Sequence, residues 1–162
     1  MELEIRTMSE EQAEEVISWR YPGEYAFYDM ERDVEDMAEL RAAHVREEKY
    51  FSALKNSELI GFFEFEVDGD VVEVGLGLRP DLTGRGLGES FLREGLSFAR
   101  ERFAPERFRL RVAEFNVRAI TLYERAGFAI DRRYGHDFYG TPYDFLEMSR
   151  PAVGTSPSDL SE

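Results

Sequence analysis

The segment Leu78–Leu92, LRPDLTGRGLGESFL, decides how this chain is read. It follows an apolar, strand-like run, VVEVGLGL (71–78), and leads into a helix-like run in which Phe91, Leu92, Leu96, Ala99 and Phe103 share one face. At the junction stand Gly84, Gly86 and Gly88, alternating with Arg85 and Leu87 and flanked by Thr83 and Glu89. Glycines there expose a row of main-chain N–H groups with no side chain in the way. The first N–H groups of a helix lack intrahelical acceptors, and the helix dipole favours negative charge beside them. The stretch is expected to hold a phosphate group.

Two nucleotide motifs fail on spacing. A P-loop needs a Gly-Lys-Ser/Thr ending, and no lysine follows these glycines. A dinucleotide fingerprint needs Gly-x-Gly-x-x-Gly, but position 89 is Glu, and a hairpin rather than an opening βαβ unit precedes the loop.

Outward from the loop, KYFSALK, LIGFFEFEV and VVEVGLGLRP read as three strands in series, with turns at Asn56-Ser57 and Gly69-Asp70. A Gly-Asp pair suits a two-residue type II′ turn. The resulting register sets Phe65 opposite Val74 and Phe63 opposite Leu76, keeping one face apolar, while Glu66 faces Glu73 and Glu64 faces Gly75. Like charges directly opposite disfavour one another, so one of Glu66 and Glu73 would hold a proton more readily, a property of a general base. Two solvated glutamates on an exposed face would fit the same pattern.

Upstream, ELEIRTM reads as a first strand. Ser9 and Gln12 form a capping box for a helix burying Ala13, Val16 and Ile17. RYPGEYAFYDM (20–30) breaks the periodicity and is aromatic for a loop. A second helix is expected over 31–47 with Val34, Met37, Ala38 and Leu40 inward. Downstream, FRLRV reads as a strand. Asn116 caps VRAITLYERAG, which Gly127 ends, and FAIDRRY and YDFLEMSR would close the sheet as an antiparallel pair. Residues 1–150 form one expected domain, and the polar tail 151–162 is expected to be disordered.

The chain has 162 residues, a net charge of −14 and no cysteine. The charge disfavours nucleic acid and suits a cationic partner. Without cysteine there is no disulfide, no thiolate nucleophile and no thiolate metal site, and the residues suggest no metal cluster. No run approaches the ~20 apolar residues of a membrane helix, and the N-terminus lacks the apolar core of a signal peptide. A cytoplasmic protein without a membrane partner is expected.

Two blocks together resemble the GNAT superfamily of N-acetyltransferases. TGRGLG (83–88) resembles its acetyl-CoA signature, and NVRAITLYERAGF (116–128) resembles its second block through Asn116, Ala119, Leu122, Tyr123, Gly127 and Phe128. The resemblance covers roughly residues 2–150. It implies an α/β (α+β) fold, a single domain with a mixed, mostly antiparallel twisted sheet of six or seven strands flanked by about four helices. It implies acetyl-CoA as acetyl donor, with pyrophosphate on the main chain of Thr83 to Glu89, pantetheine along Leu76, Gly77 and Leu78, and a contact from Asn116. Tyr123 stands where the family often has the acid that protonates the departing thiolate, and Glu73 stands near a glutamate that some members use as base, with Glu66 the alternate. Thr83 departs from the signature's usual Arg or Gln, and Arg85 could supply that charge or face solvent. Gly75 and Gly77 would clear one face of the strand, or mark a bulge or a close approach.

The acceptor would be a small-molecule amine, a protein N-terminus or a lysine, attacking directly in a ternary complex. It would be met by 20–30 and by YGHDFYGTPYDF (134–145), with Tyr25, Tyr28, Glu64 and His136 as candidate contacts and His136 in a loop. Monomer and homodimer stay open. A non-catalytic acetyl-CoA-binding module is the alternative function.

Overall fold

The computed structural model describes residues 2–153. Its strands are β1 (Glu4–Thr7), β2 (Tyr50–Lys55), β3 (Glu58–Asp68), β4 (Val71–Leu78), β5 (Arg107–Ala113), β6 (Ala129–Phe138) and β7 (Thr141–Pro151). Its α-helices are α1 (Glu10–Ser18), α2 (Val34–Arg41), α3 (Ala43–Lys49), α4 (Gly88–Phe103) and α5 (Val117–Arg125), and short 3-10 turns occupy Gly23–Tyr28, Met30–Arg32 and Pro80–Leu82. The sheet order is β1-β2-β3-β4-β5-β7-β6. β4 and β5 pair in parallel, while β1 with β2, β2 with β3, β5 with β7 and β6 with β7 are antiparallel. This is the expected mixed, mostly antiparallel α/β sheet.

Among the described residues the backbone divides into two compact units, 2–65 with 76–95, and 66–75 with 96–153. In the first, Ser9 accepts from Gln12 N–H while the Gln12 side chain accepts from Ser9 N–H, the capping box expected of α1. One side of α1 buries Ala13, Val16 and Ile17 in a cluster with Met8, Trp19, Leu40, Tyr50, Leu54 and Leu59. The turn between β2 and β3 carries positive φ at Asn56 and Ser57 (52° and 66°), the twist that a two-residue hairpin needs. In the second unit, α5 ends in a Schellman arrangement. Phe128 N–H donates to Tyr123 O (3.0 Å) and Gly127 N–H to Glu124 O (3.0 Å), with Gly127 at φ +95°.

The Gly69-Asp70 turn is a two-residue turn, with β3 ending at Asp68, β4 starting at Val71 and Gly69 at φ +63°. Burial of Phe63 and Phe65 on β3 and of Val72 and Val74 on β4 agrees with the expected apolar face.

Three expectations need correction. The single helix over 31–47 is two helices, because Asp33 caps a helix starting at Val34 and Ala42 is extended (φ −88°, ψ 106°) between α2 and α3. Val34, in the first turn, is therefore exposed, and Leu40 carries the burial. The closing hairpin is longer than expected. Its turn is at Tyr139-Gly140, with positive φ at both, so most of 134–145 is strand and His136 pairs with Tyr143 in β6 and β7 rather than sitting in a loop. Pro151 and Ala152, read from the sequence as tail, are instead placed against the fold. Pro151 ends β7, Ala152 is buried and its N–H donates to Glu106 O (2.8 Å), while 154–162 lie outside the described residues.

The first unit's aromatic core rests on a close approach. Phe63, fully buried, stacks on Phe65 at 5.7 Å and meets Phe91 at 4.4 Å. A Cβ on Gly95 of α4 would lie 2.2 Å from Phe63 Cε1. Alanine is better than glycine in a helix by about 1 kcal/mol, but overpacking a filled core costs roughly 1–3 kcal/mol. Gly95→Ala should therefore lower the urea midpoint, and Phe63→Leu in the same chain should restore part of it.

Candidate active site

The loop before α4 has the geometry that its glycines suggested. Gly84 and Gly86 take φ +73° and +76°, values that a residue with a Cβ adopts only with strain. Among the described residues, the N–H groups of Gly84, Arg85, Gly86 and Leu87 have no protein acceptor, and α4 begins at Gly88 with Phe91 N–H on Leu87 O (3.0 Å). Orphan donors at a helix N-terminus form an anion site. Arg85 is exposed there. Thr83 is committed elsewhere, its hydroxyl donating to Pro80 O (2.7 Å) across the 3-10 turn. Glu89 pairs with Arg93 one helical turn on (3.3 Å).

The strand entering this loop runs on past its pairing with β5. β4 and β5 pair from Val71↔Arg107 to Glu73↔Arg109, and no further pair joins them among the described residues, although β4 continues to Leu78. Gly77 lacks a side chain because of a close approach: a Cβ there would lie 2.5 Å from Phe62 Cε1. Arg79 fixes the end of the strand. Its N–H donates to Ile60 O (2.8 Å), and its guanidinium spans Glu58 (2.7 Å), Asp81 (2.6 Å) and Leu59 O (3.1 Å). The Leu78 carbonyl accepts from the Tyr21 hydroxyl (2.6 Å).

In the same unit, α2, α3, β2 and β3 bring several acids together, two of them on one lysine. Lys49 Nζ pairs with Glu39 (3.0 Å) and Glu64 (3.6 Å), and Tyr50 Oη lies 3.3 Å from Glu39 Oε2. Asp33 caps α2 by accepting from Asp36 N–H (3.0 Å). Burial first, then the charges of Asp33, Glu64 and Glu39, pushes the Asp36 carboxyl up to about 7. Burial and the same acids raise the Tyr50 phenol as well. Tyr25 is half-buried and Tyr28 exposed in the 3-10 turn that leads towards this cluster.

The second unit holds the other expected residues. Asn116 Oδ1 accepts from Ala119 N–H (3.1 Å), capping α5 as expected. Tyr123, half-buried on α5, meets Phe128 edge-on at 6.2 Å. Glu73 is not left to confront Glu66. Its Oε1 takes Arg109 Nε at 2.9 Å and Arg111 Nε at 3.3 Å, and Arg109 also approaches Asp68 (3.4 Å) and Glu147 (3.6 Å). The neighbouring arginines, Arg132 first, hold Glu147 below the usual carboxylate range. Arg109 and Arg111 of β5 thus supply Glu73 with cations that the hairpin register alone does not show. His136, in β6, packs edge-on against Phe145 at 5.9 Å.

The sequence matches the Acetyltransferase (GNAT) family over residues 10–128. This chain belongs to the GNAT family. The match contains both the glycine loop and the Asn116–Phe128 block. Among curated proteins, it is similar to the mycothiol acetyltransferases of Salinispora arenicola (strain CNS-205), 44% identical over 33% of this chain, and of Clavibacter sepedonicus, 41% identical over 49% of it. Those matches span only 18% and 27% of the relatives' length. Among solved structures, a spermidine N-acetyltransferase chimera from Vibrio cholerae and hSSAT superposes with TM-score 0.79 at 19% identity over the whole of both chains. A GNAT-family acetyltransferase from Bacillus anthracis does so with TM-score 0.76 at 15% identity over 95% of this chain and 97% of that one. Among the described residues no helix is long and apolar enough to cross a membrane.

Within this GNAT chain, Tyr21, Asp36 and Arg79 make the contacts described above, and pattern reading passes over them. Asp33-x-x-Asp36 before a periodic run was the available signal for the second; the others act through contacts distant in sequence.

The acid cluster makes stability depend on pH. Asp36 titrates near 3.8 unfolded and near 7 folded, so its stabilising contribution is full below pH 3.8 and is lost as pH rises through 7. Asp36→Asn should flatten the decline between those limits and raise stability at pH 8 by roughly 1–3 kcal/mol, read from urea unfolding at a series of pH values.

Proposed function

We propose that this chain transfers the acetyl group of acetyl-CoA to the amine of a cationic acceptor by direct attack within a ternary complex. The observation that carries the reading is the row of unbonded N–H groups at Gly84–Leu87, ahead of α4 and at the end of a strand that runs on past its pairing with β5. Such donors suit a pyrophosphate, and the main chain of Leu76 and Leu78 suits the amides of a pantetheine arm. When bound, acetyl-CoA supplies an activated acyl group and a thiol leaving group. The chain's own share is to hold, orient and move protons. Asn116 would cap α5 and contact the cofactor, and the Tyr123 phenol would give its proton to the departing sulfur. Glu73, fixed between two arginines, serves as a structural anion, and the acceptor's proton passes to solvent.

The acceptor class follows from the carboxylates. Asp36 feels the charges of Asp33, Glu39 and Glu64, and Lys49 pairs with the last two, in the unit that carries the aromatic segment 20–30. This grouping favours an amine with a second positive charge over a neutral or anionic one. Spermidine, in the name of a structural neighbour, belongs to that class.

A panel of mono-, di- and polyamines assayed for CoA release should show kcat/KM at least about tenfold higher for dications than for monoamines of equal length, the effect of one added charge pair. Tyr123→Phe should lower kcat about 100-fold with acetyl-CoA affinity unchanged, the usual scale of general acid catalysis. No thermal stabilisation by acetyl-CoA, with no CoA release for any amine, would reject the activity. Turnover with unchanged kcat in Tyr123→Phe would reject only the acid.

A further inference from the structure

The aromatic segment after α1 is tied down at defined points. Arg20 donates to Ile17 O (2.8 Å) and Trp19 O (2.9 Å) and pairs with Glu31. Asp29, with only 8% of its surface exposed, accepts Tyr21 N–H on Oδ1 at 2.7 Å. The carboxylate thus closes the segment 21–29 on itself. The Tyr21 side chain leaves that loop and donates its hydroxyl to Leu78 O at 2.6 Å, across 57 positions of sequence.

The edge that it reaches is decided by the peptide plane. Arg79 N–H donates to Ile60 O, so it points towards β3, and among the described residues no peptide bond is cis. In a trans peptide the preceding carbonyl points the opposite way. Leu78 O therefore lies on the edge of β4 turned away from β3. Residues two apart on a strand direct their N–H and C=O groups to the same edge, so Leu76 shares it. That is the edge assigned above to the pantetheine arm. A carbonyl oxygen has two lone pairs, and Tyr21 uses one.

We propose that Tyr21 is a positioning residue that locks the acceptor-side segment 19–31 onto the cofactor edge of β4, coupling the seat of the amine to the seat of the acetyl donor. The inference rests on the acetyl-transfer reading. Burial, then the Asp29 charge, raises the Tyr21 phenol, so it stays a donor across the working pH range. Asp29 holds the backbone of Tyr21, and Tyr21 holds Leu78. The chain then continues through Tyr25 and Tyr28 to Asp33 and Asp36, so the acid cluster and the cofactor strand share one anchor. Removing the hydroxyl releases that anchor and leaves the glycine loop's donors intact.

Tyr21→Phe removes only this bond. It should lower kcat/KM for the acceptor about tenfold, the scale of one lost hydrogen bond, while the acetyl-CoA Kd from titration calorimetry stays within about twofold. Asp29→Asn keeps an oxygen for Tyr21 N–H and should behave nearly as wild type. Asp29→Ala should reproduce Tyr21→Phe, and the double variant Tyr21→Phe/Asp29→Ala should be no worse than either. Wild-type kinetics in Tyr21→Phe, even with a lowered Tm, would overturn the proposal by showing a purely structural bond. A loss of acetyl-CoA affinity equal to the kinetic loss would overturn it too, by making Tyr21 part of the cofactor cradle. Wild-type protein that neither binds acetyl-CoA nor releases CoA fails before any variant is made, which separates rejection of the activity from rejection of the coupling.

Discussion

A strand inside a sheet has two rows of main-chain donors and acceptors, and leaving either row unpaired and buried is costly. β4 meets this requirement in two ways along its length. From Val71 to Glu73 it pairs with β5, and that pairing ends while the strand runs on to Leu78. Past that point the row needs other partners, and one is a tyrosine hydroxyl from a distant segment. The glycine loop continues the same condition, with donors freed at the strand's end and at the start of α4. The candidate site is thus a region where main-chain hydrogen bonding leaves the sheet.

The parts of the molecule governed by local chemistry were legible in the sequence. Ser9 and Gln12, Asn116, Gly127 and the Gly69-Asp70 turn act over a few residues, and each does what its residue type dictates. The glycine loop was legible for the same reason. Less legible were features that depend on partners brought in by the fold. The helix over 31–47 divides at Ala42 because a capped start at Asp33 and an extended residue interrupt a pattern that hydrophobic periodicity carries straight through. His136 sits in a strand because positive φ at Tyr139 and Gly140 allows a tight turn that composition alone did not suggest. Glu73 looked like half of a repulsive pair until β5 placed two arginines against it.

The two charged clusters illustrate opposite uses of electrostatics. Around Glu73, arginines and carboxylates alternate across β4, β5, β7 and β6, and Arg132 and Arg111 also lie over the Tyr134 ring at 4.7 and 6.0 Å. Those charges are matched, and they order a sheet face. Around Asp36, carboxyl groups stand near one another. Burial and the neighbouring acids push the Asp36 carboxyl up to about 7, so its contribution to stability is lost as pH rises through neutrality.

The end of α5 is held by a residue far along the chain. Arg150, buried on β7, donates to Ala126 O (2.6 Å) and to Pro151 O (2.9 Å), and packs over Gly127. Tyr123 lies one turn before that carbonyl, and its own carbonyl is engaged by the same helix ending. A chain growing from its N-terminus forms α5 well before Arg150 emerges, so the helix carrying the proposed acid keeps an unlocked end until the last strand is made. Completion of the sheet and completion of α5 are then one event, and a half-synthesised chain holds the glycine loop without a fixed Tyr123.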